Sequence, residues 1–212
     1  MSERQQISTV ESILVNDHAK NKAHVLSEVC SSLASGKFDD ASHILREQYP
    51  FAKAGNAGRK WTSLQALRVF VRDGFTDRYS GCPLVFPGTL RIISSHLPTD
   101  FPFHPNWKTD QCHFAYWELV PTIDHLVPVS RGGEDDETNW VTTSMVKNAA
   151  KANFTLEEIG WKLYPREAGD SWDGLTSWFS EQITKYPDLL KNPYIQNWDR
   201  ALRAIRVKRE PS

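Results

Sequence analysis

The sequence has few cysteines, and their spacing offers no basis for a disulfide framework. Its 212 residues include three cysteines, Cys30, Cys82 and Cys112. Disulfide-stabilised secreted domains are richer in cysteine and use it in pairs, whereas an odd count at unmatched intervals is typical of reducing compartments. We therefore expect a cytoplasmic protein without a disulfide framework.

Long hydrophobic runs and a marked excess of charge are also missing. No apolar segment approaches the roughly 18 residues that a membrane-spanning helix requires, and the opening residues MSERQQISTV lack the apolar stretch of a signal peptide. The 25 basic and 26 acidic residues nearly cancel, so bulk charge does not indicate a nucleic-acid partner. We expect no membrane partner, and any polyanion site must come from a local arrangement of charges.

The remaining composition is that of a folded globular protein. Hydrophobic residues make up 40% of the chain and charged residues 24%, with eight tryptophans, which excludes a disordered or collagen-like chain. A length of 212 residues favours one domain, or one core with appendages.

Apolar spacing predicts helices on both sides of a central segment. Helical periodicity covers residues 25–33, 41–49, 61–70, 172–183 and the stretch that Asn192-Pro193 introduces. Thr155 and Glu158 have the spacing of a capping box, which predicts another helix start. Five prolines between Phe75 and His113 leave little room for helix, and residues 89–94 predict a short strand.

The segment from Trp117 to Ser144 has the pattern of strand, turn and strand. Apolar and β-branched residues lie on both sides of a turn that contains Gly132-Gly133 and the acidic residues 134–137. Ser144 is a suitable N-cap for a short helix over residues 145–152. This part of the chain therefore predicts a β-hairpin followed directly by a helix.

Chemically useful side chains are concentrated in this hairpin and helix. Asp124 and His125 are adjacent on the first strand, and Asn148 lies on the helix between Lys147 and Lys151. Carboxylate and amide oxygens are hard ligands that suit Mg²⁺ or Mn²⁺, and a neutral histidine can accept a proton near neutral pH. These are the parts required for metal-assisted hydrolysis of a phosphodiester.

The adjacency of Asp124 and His125 poses a geometric problem for a shared site. Neighbouring residues of a regular strand point to opposite faces, so we expect a bulge, an irregular strand or a strand end at this pair. The acidic residues 134–137 would repel phosphate, and we expect them to point away from the site.

These residues resemble the HNH nucleases, a family also called ββα-metal. The resemblance rests on Asp124-His125 with Pro128 three residues later, the Gly132-Gly133 turn, Asn139 at the start of the second strand and Lys147-Asn148 on the helix. It spans roughly residues 72–153, and the three letters of the family motif fall on His125, Asn139 and Asn148.

The resemblance implies a role for each of these positions. His125 is expected to be the general base that activates water, while Asp124 and Asn148 hold the Mg²⁺ or Mn²⁺ ion. Asn139 is expected to be structural and to tie the hairpin loop. Such enzymes also need cations that position the phosphates without reading sequence. The candidates for these nucleic-acid contacts are Arg131, Lys147 and Lys151.

The zinc-binding cysteines that brace many HNH hairpins are absent. The positions of the first pair are occupied by Asp77 and Ser80, and no cysteine lies near Asn148. Structural zinc prefers cysteine and histidine, so we expect no structural zinc. Two alternatives stay open: a partial site of Cys82, Cys112 and His113 with His96 or His104, or a buried thiol pair with ordinary loop histidines.

Together, the residues and the resemblance predict an α+β protein with a ββα-metal (HNH) nuclease core over residues 72–153. An N-terminal helical region, 1–71, would pack on this core, and a C-terminal helical region would cover 154–212. The expected function is metal-dependent endonucleolytic cleavage of DNA, double-stranded rather than single-stranded, leaving 5′-phosphate and 3′-hydroxyl ends. A bacterial or phage restriction or defence nuclease and a mobile-element nuclease both fit.

Two other functions and one question of assembly stay open at this point. The hairpin could belong to an RNA-cleaving or non-specific toxin-type nuclease, or to a catalytically inert DNA-binding module. Cleavage of both strands with one active site per chain would favour a homodimer, although no residue of the sequence demonstrates one.

Overall fold

In the described part of the chain, two short strands form a sheet; the structure is a computed structural model. β1 covers Pro121–His125 and β2 covers Trp140–Ser144, and the two strands pair antiparallel with Ile123 opposite Thr142. The structure describes residues 24–48, 61–165 and 172–207. A helix follows β2 directly. The α+β class predicted from the sequence is confirmed.

Helices account for most of the other regular structure. In chain order, the described α-helices are α1 over residues 24–34, α2 Phe38–Gln48, α3 Ser63–Arg72, α4 Pro87–His96, α5 Ala115–Glu118, α6 Met145–Lys151, α7 Thr176–Lys185 and α8 Pro193–Val207. The same described residues include 3₁₀ helices at Val129–Arg131 and Pro187–Lys191. Among the described residues, no helix is both long and apolar enough to cross a bilayer.

The described residues group into two compact units. The first contains α1, α2 and the segments Leu126–Glu134 and Asn153–Lys162, and the second contains both strands and the other α-helices. In the second unit, the ring of Phe86 packs 4.9 Å from Phe179 and 5.5 Å from Trp198, measured between centroids. The sheet contributes apolar side chains to this same core, so the helices of the second unit support the strands.

Residues 89–94 belong to α4, so the strand predicted for them is wrong. Pro87 lies in the first turn of the helix, where its missing N–H costs no hydrogen bond. Gly88 then allows a close approach to α7, because a Cβ atom there would lie 2.6 Å from a ring carbon of Phe179. Burial of Leu90 and Ile92 in the helix outweighs the strand propensity of this β-branched stretch.

The predicted helix start at Thr155 is also wrong, although its hydrogen bonds form. Thr155 N–H donates to the carboxylate of Glu158 at 2.9 Å, and Glu158 N–H donates to Thr155 Oγ1 at 3.3 Å. Residues 156–160 nevertheless form turns. Gly160 has a φ of 67°, which ends the segment after about one turn of chain.

The outer edge of β2 is closed by groups from the chain after α3. Thr142 N–H donates to Asp73 Oδ2, and Ser144 N–H donates to Asp77 Oδ2, each at 2.9 Å. The carbonyl of Thr142 accepts from the N–H of Arg78, also at 2.9 Å. An isolated two-stranded sheet is marginally stable in water. These bonds therefore do what a third strand would do elsewhere.

Asp73 is buried where α3 meets β2 and is surrounded by donors. Its carboxylate accepts from Arg72 Nε at 3.0 Å and from Arg78 at 3.3 Å. Burial by itself would raise the pKa of Asp73, but the hydrogen bonds from Arg72 and Thr142 and the two arginine charges lower it below its ordinary value. The carboxylate is therefore held in its charged form by the fold.

We predict that Asp73→Ala destabilises the protein by about 3–5 kcal/mol near neutral pH, because both arginines and the buried N–H of Thr142 lose their acceptor. The folded pKa is the lower one, so this contribution should be complete above about pH 4 and disappear as the pH falls through the folded pKa. Urea unfolding of both proteins at several pH values measures the difference.

The matched control is Asp188→Ala, because that side chain is 84% exposed and its loss should cost about 0.5 kcal/mol or less. Equal losses for the two variants, or a deficit of Asp73→Ala that grows in acid, would contradict the assignment.

Candidate functional site

α6 begins at the last residue of β2, and this fixes the helix against the sheet. Ser144 is the N-cap, and its Oγ accepts the backbone N–H three residues later at 3.2 Å. Asn148 and Lys151 share one side of the helix because they are three residues apart. Asn148 Nδ2 donates to the carbonyl of Ile123 at 3.2 Å, and Lys151 Nζ donates to that of His125 at 2.6 Å. The helix is therefore clamped to the end of β1.

The carboxylate of Asp124 is buried beside one donor and one cation. Its Oδ2 accepts the hydroxyl of Tyr79 at 2.6 Å and lies 3.0 Å from Lys151 Nζ. Burial and the charge and hydrogen bond of Asp124 raise the pKa of Tyr79 far above its ordinary value, so the phenol remains a donor. One oxygen of the carboxylate is thus fully engaged by the protein.

Lys151 is completely buried, with no exposed surface, which is rare for a lysine. Its ammonium joins Asp124 Oδ2 to the carbonyl of His125, two consecutive residues of β1. The phosphate contact predicted for Lys151 is not what the structure places there, because the buried charge of Asp124 needs a counter-ion. Lys151 is therefore a buried counter-ion of Asp124 and does not lie at the protein surface.

The ring of His125 is buried, and its neighbours differ from those of Asp124. Its Nε2 lies 2.7 Å from Asp135 Oδ1, and the indole nitrogen of Trp140 lies 3.1 Å from both of these atoms. The ring of Trp61 packs against it at a centroid distance of 5.9 Å. The acidic turn was expected to point away from the site, and at Asp135 this expectation is wrong, because the imidazole offers its carboxylate a hydrogen-bond donor.

Asp124 and His125 lie at a strand end, as one of the predicted geometries requires. The register of β1 with β2 is one-to-one up to the pair His125 and Trp140, and His125 is the last residue of β1. In agreement with regular strand alternation, Asp124 contacts Lys151 and α6, whereas the ring of His125 contacts aromatic side chains and Asp135. The two side chains therefore share the strand end and have different neighbours.

Three acceptor atoms around this strand end have no hydrogen-bond partner among the described residues: Asp124 Oδ1, Asn148 Oδ1 and His125 Nδ1. Within the same residues, Arg91 Nε is the single side-chain nitrogen or oxygen that is both fully buried and unpartnered. The three acceptors therefore keep at least a small contact with solvent. Carboxylate and amide oxygens are ligands that a divalent cation accepts, with water or phosphate completing its shell.

The other predicted site residues lie elsewhere or are less fully defined. Arg131 belongs to the first unit, where its guanidinium binds the carboxylate of Glu158. Lys147 is half-buried on α6. Asn139 is buried, and its backbone N–H donates to the carbonyl of Asp136 at 3.1 Å. The phosphate contacts of Arg131 and Lys147, and the structural tie of Asn139, stay predictions.

Asp77, at one of the two positions where the resemblance would place zinc ligands, anchors a turn. Its carbonyl accepts from the N–H groups of Ser80 and Gly81, at 3.2 and 2.7 Å, and its own N–H donates to the carbonyl of Cys82 at 2.9 Å. In the part of the chain that is described, no three His, Cys, Asp or Glu side chains are arranged to hold a metal. The predicted Mg²⁺ site consists of one carboxylate and one amide, so it does not require three such side chains.

Sequence reasoning missed Tyr79, Asp135 and Trp140 as members of this site. Tyr79 lies 45 residues before its partner Asp124, and no spacing rule connects them. The ring of Trp140 packs in the core, as is usual for tryptophan, but its indole nitrogen faces His125. The register places Trp140 opposite His125, so a correct hairpin alignment was the signal that could have found it.

Comparisons with protein-family models, with curated proteins and with solved structures found no match. The function is therefore inferred from the chemistry and positions of the described side chains.

We predict that Lys151→Met destabilises the protein by about 3–5 kcal/mol, because it leaves the buried charge of Asp124 without its cation. Hydrogen exchange should show the amides of β1 and α6 opening first, since Lys151 is the clamp between them.

The control for this variant is Lys191→Met, which removes a lysine that is 78% exposed and should change stability by less than about 1 kcal/mol. If Lys151→Met were as stable as this control, the buried ion pair would not hold α6 to the strand.

Proposed function

We propose that this protein is a metal-dependent endonuclease of the HNH, or ββα-metal, type that hydrolyses DNA phosphodiester bonds. The observation that carries the proposal is the strand end itself. A carboxylate oxygen, an amide oxygen and an imidazole nitrogen have no protein hydrogen-bond partner there among the described residues, while the other polar atom of each of these side chains is bonded within the protein. The order strand, strand, helix over β1, β2 and α6 agrees with that type of core.

Asp124 and Asn148 are the residues that would hold the cation, Mg²⁺ or Mn²⁺. Each presents one unpartnered oxygen, and each is kept in place through its other polar atom: Asp124 Oδ2 by Tyr79 and Lys151, and Asn148 Nδ2 by the carbonyl of Ile123. Fixed ligands lower the cost of assembling a site when the ion binds. When bound, a divalent cation stabilises negative charge on the phosphate and the leaving oxygen.

His125 would act as the general base on the attacking water. Its ring is held by Trp61, Trp140 and Asp135 and leaves Nδ1 available. It need not touch Asp124, because a base acts on the nucleophile and a metal ligand acts on the phosphate, two different parts of one reacting group. The different neighbours of Asp124 and His125 therefore suit the two roles, metal ligand and general base.

DNA, double-stranded rather than single-stranded, is the substrate that we propose, with Arg131 and Lys147 as contacts to its phosphates. The near-zero net charge of the chain means that such contacts must be local. A restriction or defence enzyme and a mobile-element nuclease both require this reaction.

We predict that His125→Ala lowers the rate of plasmid cleavage by about 10²–10⁴-fold, the usual contribution of general-base catalysis. Metal binding should persist, because Asp124 and Asn148 are unchanged. Gel analysis of plasmid cleavage in Mg²⁺ or Mn²⁺, with EDTA as the blank, measures the rate. His43→Ala, at an exposed position of α2, is the matched control, and near-normal activity of His125→Ala would refute the base.

We predict that Asp124→Asn and Asn148→Ala raise the Mg²⁺ concentration needed for half-maximal cleavage, because each removes or weakens one hard oxygen ligand. Asp188→Asn, at an exposed position, is the control for loss of one aspartate charge. An unchanged Mg²⁺ requirement in both site variants would place the cation elsewhere.

The same preparation should be offered double-stranded DNA, single-stranded DNA and RNA. Preferential metal-dependent cutting of the duplex, with 5′-phosphate ends, supports the proposal. Faster cutting of RNA would favour a toxin-type nuclease, and salt-sensitive binding with no cutting would indicate an inert DNA-binding module.

A further inference from the structure

The contact between His125 and Asp135 fixes the position of one hydrogen atom. His125 Nε2 and Asp135 Oδ1 are 2.7 Å apart, the short end of the range for an N–H···O hydrogen bond. An aspartate oxygen offers only lone pairs. If Nε2 also presented a lone pair, the two atoms would repel at this distance. The hydrogen therefore lies on Nε2 and is donated to Asp135.

Trp140 removes the remaining ambiguity. Its indole N–H lies 3.1 Å from His125 Nε2 and 3.1 Å from Asp135 Oδ1, and indole is a donor only. Once Nε2 carries a hydrogen, it cannot accept the indole N–H. Asp135 Oδ1 must then accept two donors, the imidazole and the indole, which is within the capacity of a carboxylate oxygen.

We propose that Asp135 is a positioning residue that selects the neutral His125 tautomer with hydrogen on Nε2 and so leaves Nδ1 as the proton acceptor. The catalytic consequence rests on the proposed nuclease function, whereas the tautomer itself does not. The side chain of Asp135 is half exposed, so the group that orients a buried ring is itself open to solvent on its other side.

Trp140 gives the loss of Asp135 a specific consequence. Without the carboxylate, the indole N–H keeps one acceptor nearby, the lone pair that Nε2 can offer in the other tautomer. That hydrogen bond moves the imidazole hydrogen to Nδ1, the atom that must accept a proton. Removing Asp135 therefore places the hydrogen on the nitrogen that must accept a proton, which does more than make the ring mobile. Removing the indole donor as well should restore part of the original tautomer.

The tautomer can be read directly by nitrogen NMR of protein labelled with ¹⁵N-histidine, at alkaline pH where histidine side chains are neutral. The chain has seven histidines, and the His125→Ala spectrum assigns the signal by its disappearance. Hydrogen on Nε2 in the wild type and on Nδ1 in Asp135→Ala supports the proposal. Hydrogen on Nδ1 in the wild type, or the same tautomer in both proteins, overturns it.

The kinetic experiment compares four variants in plasmid cleavage with saturating Mg²⁺. Asp135→Ala should lose about 10²-fold or more in rate, and the Asp135→Ala/Trp140→Phe double variant should recover about tenfold of that loss. Trp140→Phe alone measures how much of the cleavage rate is lost because the core is disturbed. Glu137→Gln is the control for one lost charge on the same turn, since its side chain is exposed, and its rate should match the wild type.

A merely structural role predicts the opposite order, because two core-damaging changes would add and the double variant would be the slowest. That order would overturn the proposal. If the wild type cuts no DNA at all, the nuclease proposal fails while the NMR result still decides the tautomer. If His125→Ala is inactive but the wild-type hydrogen lies on Nδ1, the nuclease stands and the role of Asp135 falls.

Discussion

A hairpin of two five-residue strands leaves the backbone groups on its outer edges without strand partners, and such a hairpin is marginal by itself. In this protein the outer edge of β2 is bonded by the carboxylates of Asp73 and Asp77 and by the backbone of Arg78. A slip of one residue would turn every side chain of β2 to the opposite face of the sheet. The register pairs Trp140 with His125, and it therefore decides which side chain stands opposite the imidazole.

The buried ion pair of Asp124 and Lys151 fixes the position of α6 against the end of β1. Hydrophobic side chains of similar volume could fill the space of Asp124 and Lys151 at no loss of stability, as exchanges of buried ion pairs in other proteins indicate. A charged pair adds a geometric restriction, since Lys151 cannot move along β1 without leaving Asp124 unpaired. α6 is thereby held where Asn148 reaches the strand, at the cost of desolvating one ammonium and one carboxylate.

How much the sequence could predict follows from how local each signal is. The hairpin, α6 and its Ser144 cap depend on neighbouring residues, and these predictions are confirmed. α4 was missed because β-branched residues favour a strand locally, while Gly88 and Phe179, 91 positions apart, decide for a helix. Asp124, His125 and Asn148 are predicted as site residues from side-chain chemistry and from the resemblance, and their roles stay predictions. Tyr79, Lys151 as a buried counter-ion, and Asp135 beside the imidazole required the three-dimensional arrangement.

In the proposed reaction, the strand end would let two adjacent residues act from different surroundings. Asp124 sits among charged and polar partners from α6 and Tyr79, whereas His125 sits between indole rings with a single carboxylate at Nε2. A metal ligand benefits from a fixed negative charge, and a base benefits from a defined tautomer in a drier site. Alternation along one strand separates the two side chains, and in the proposed reaction the strand end would let both act on one bound phosphate.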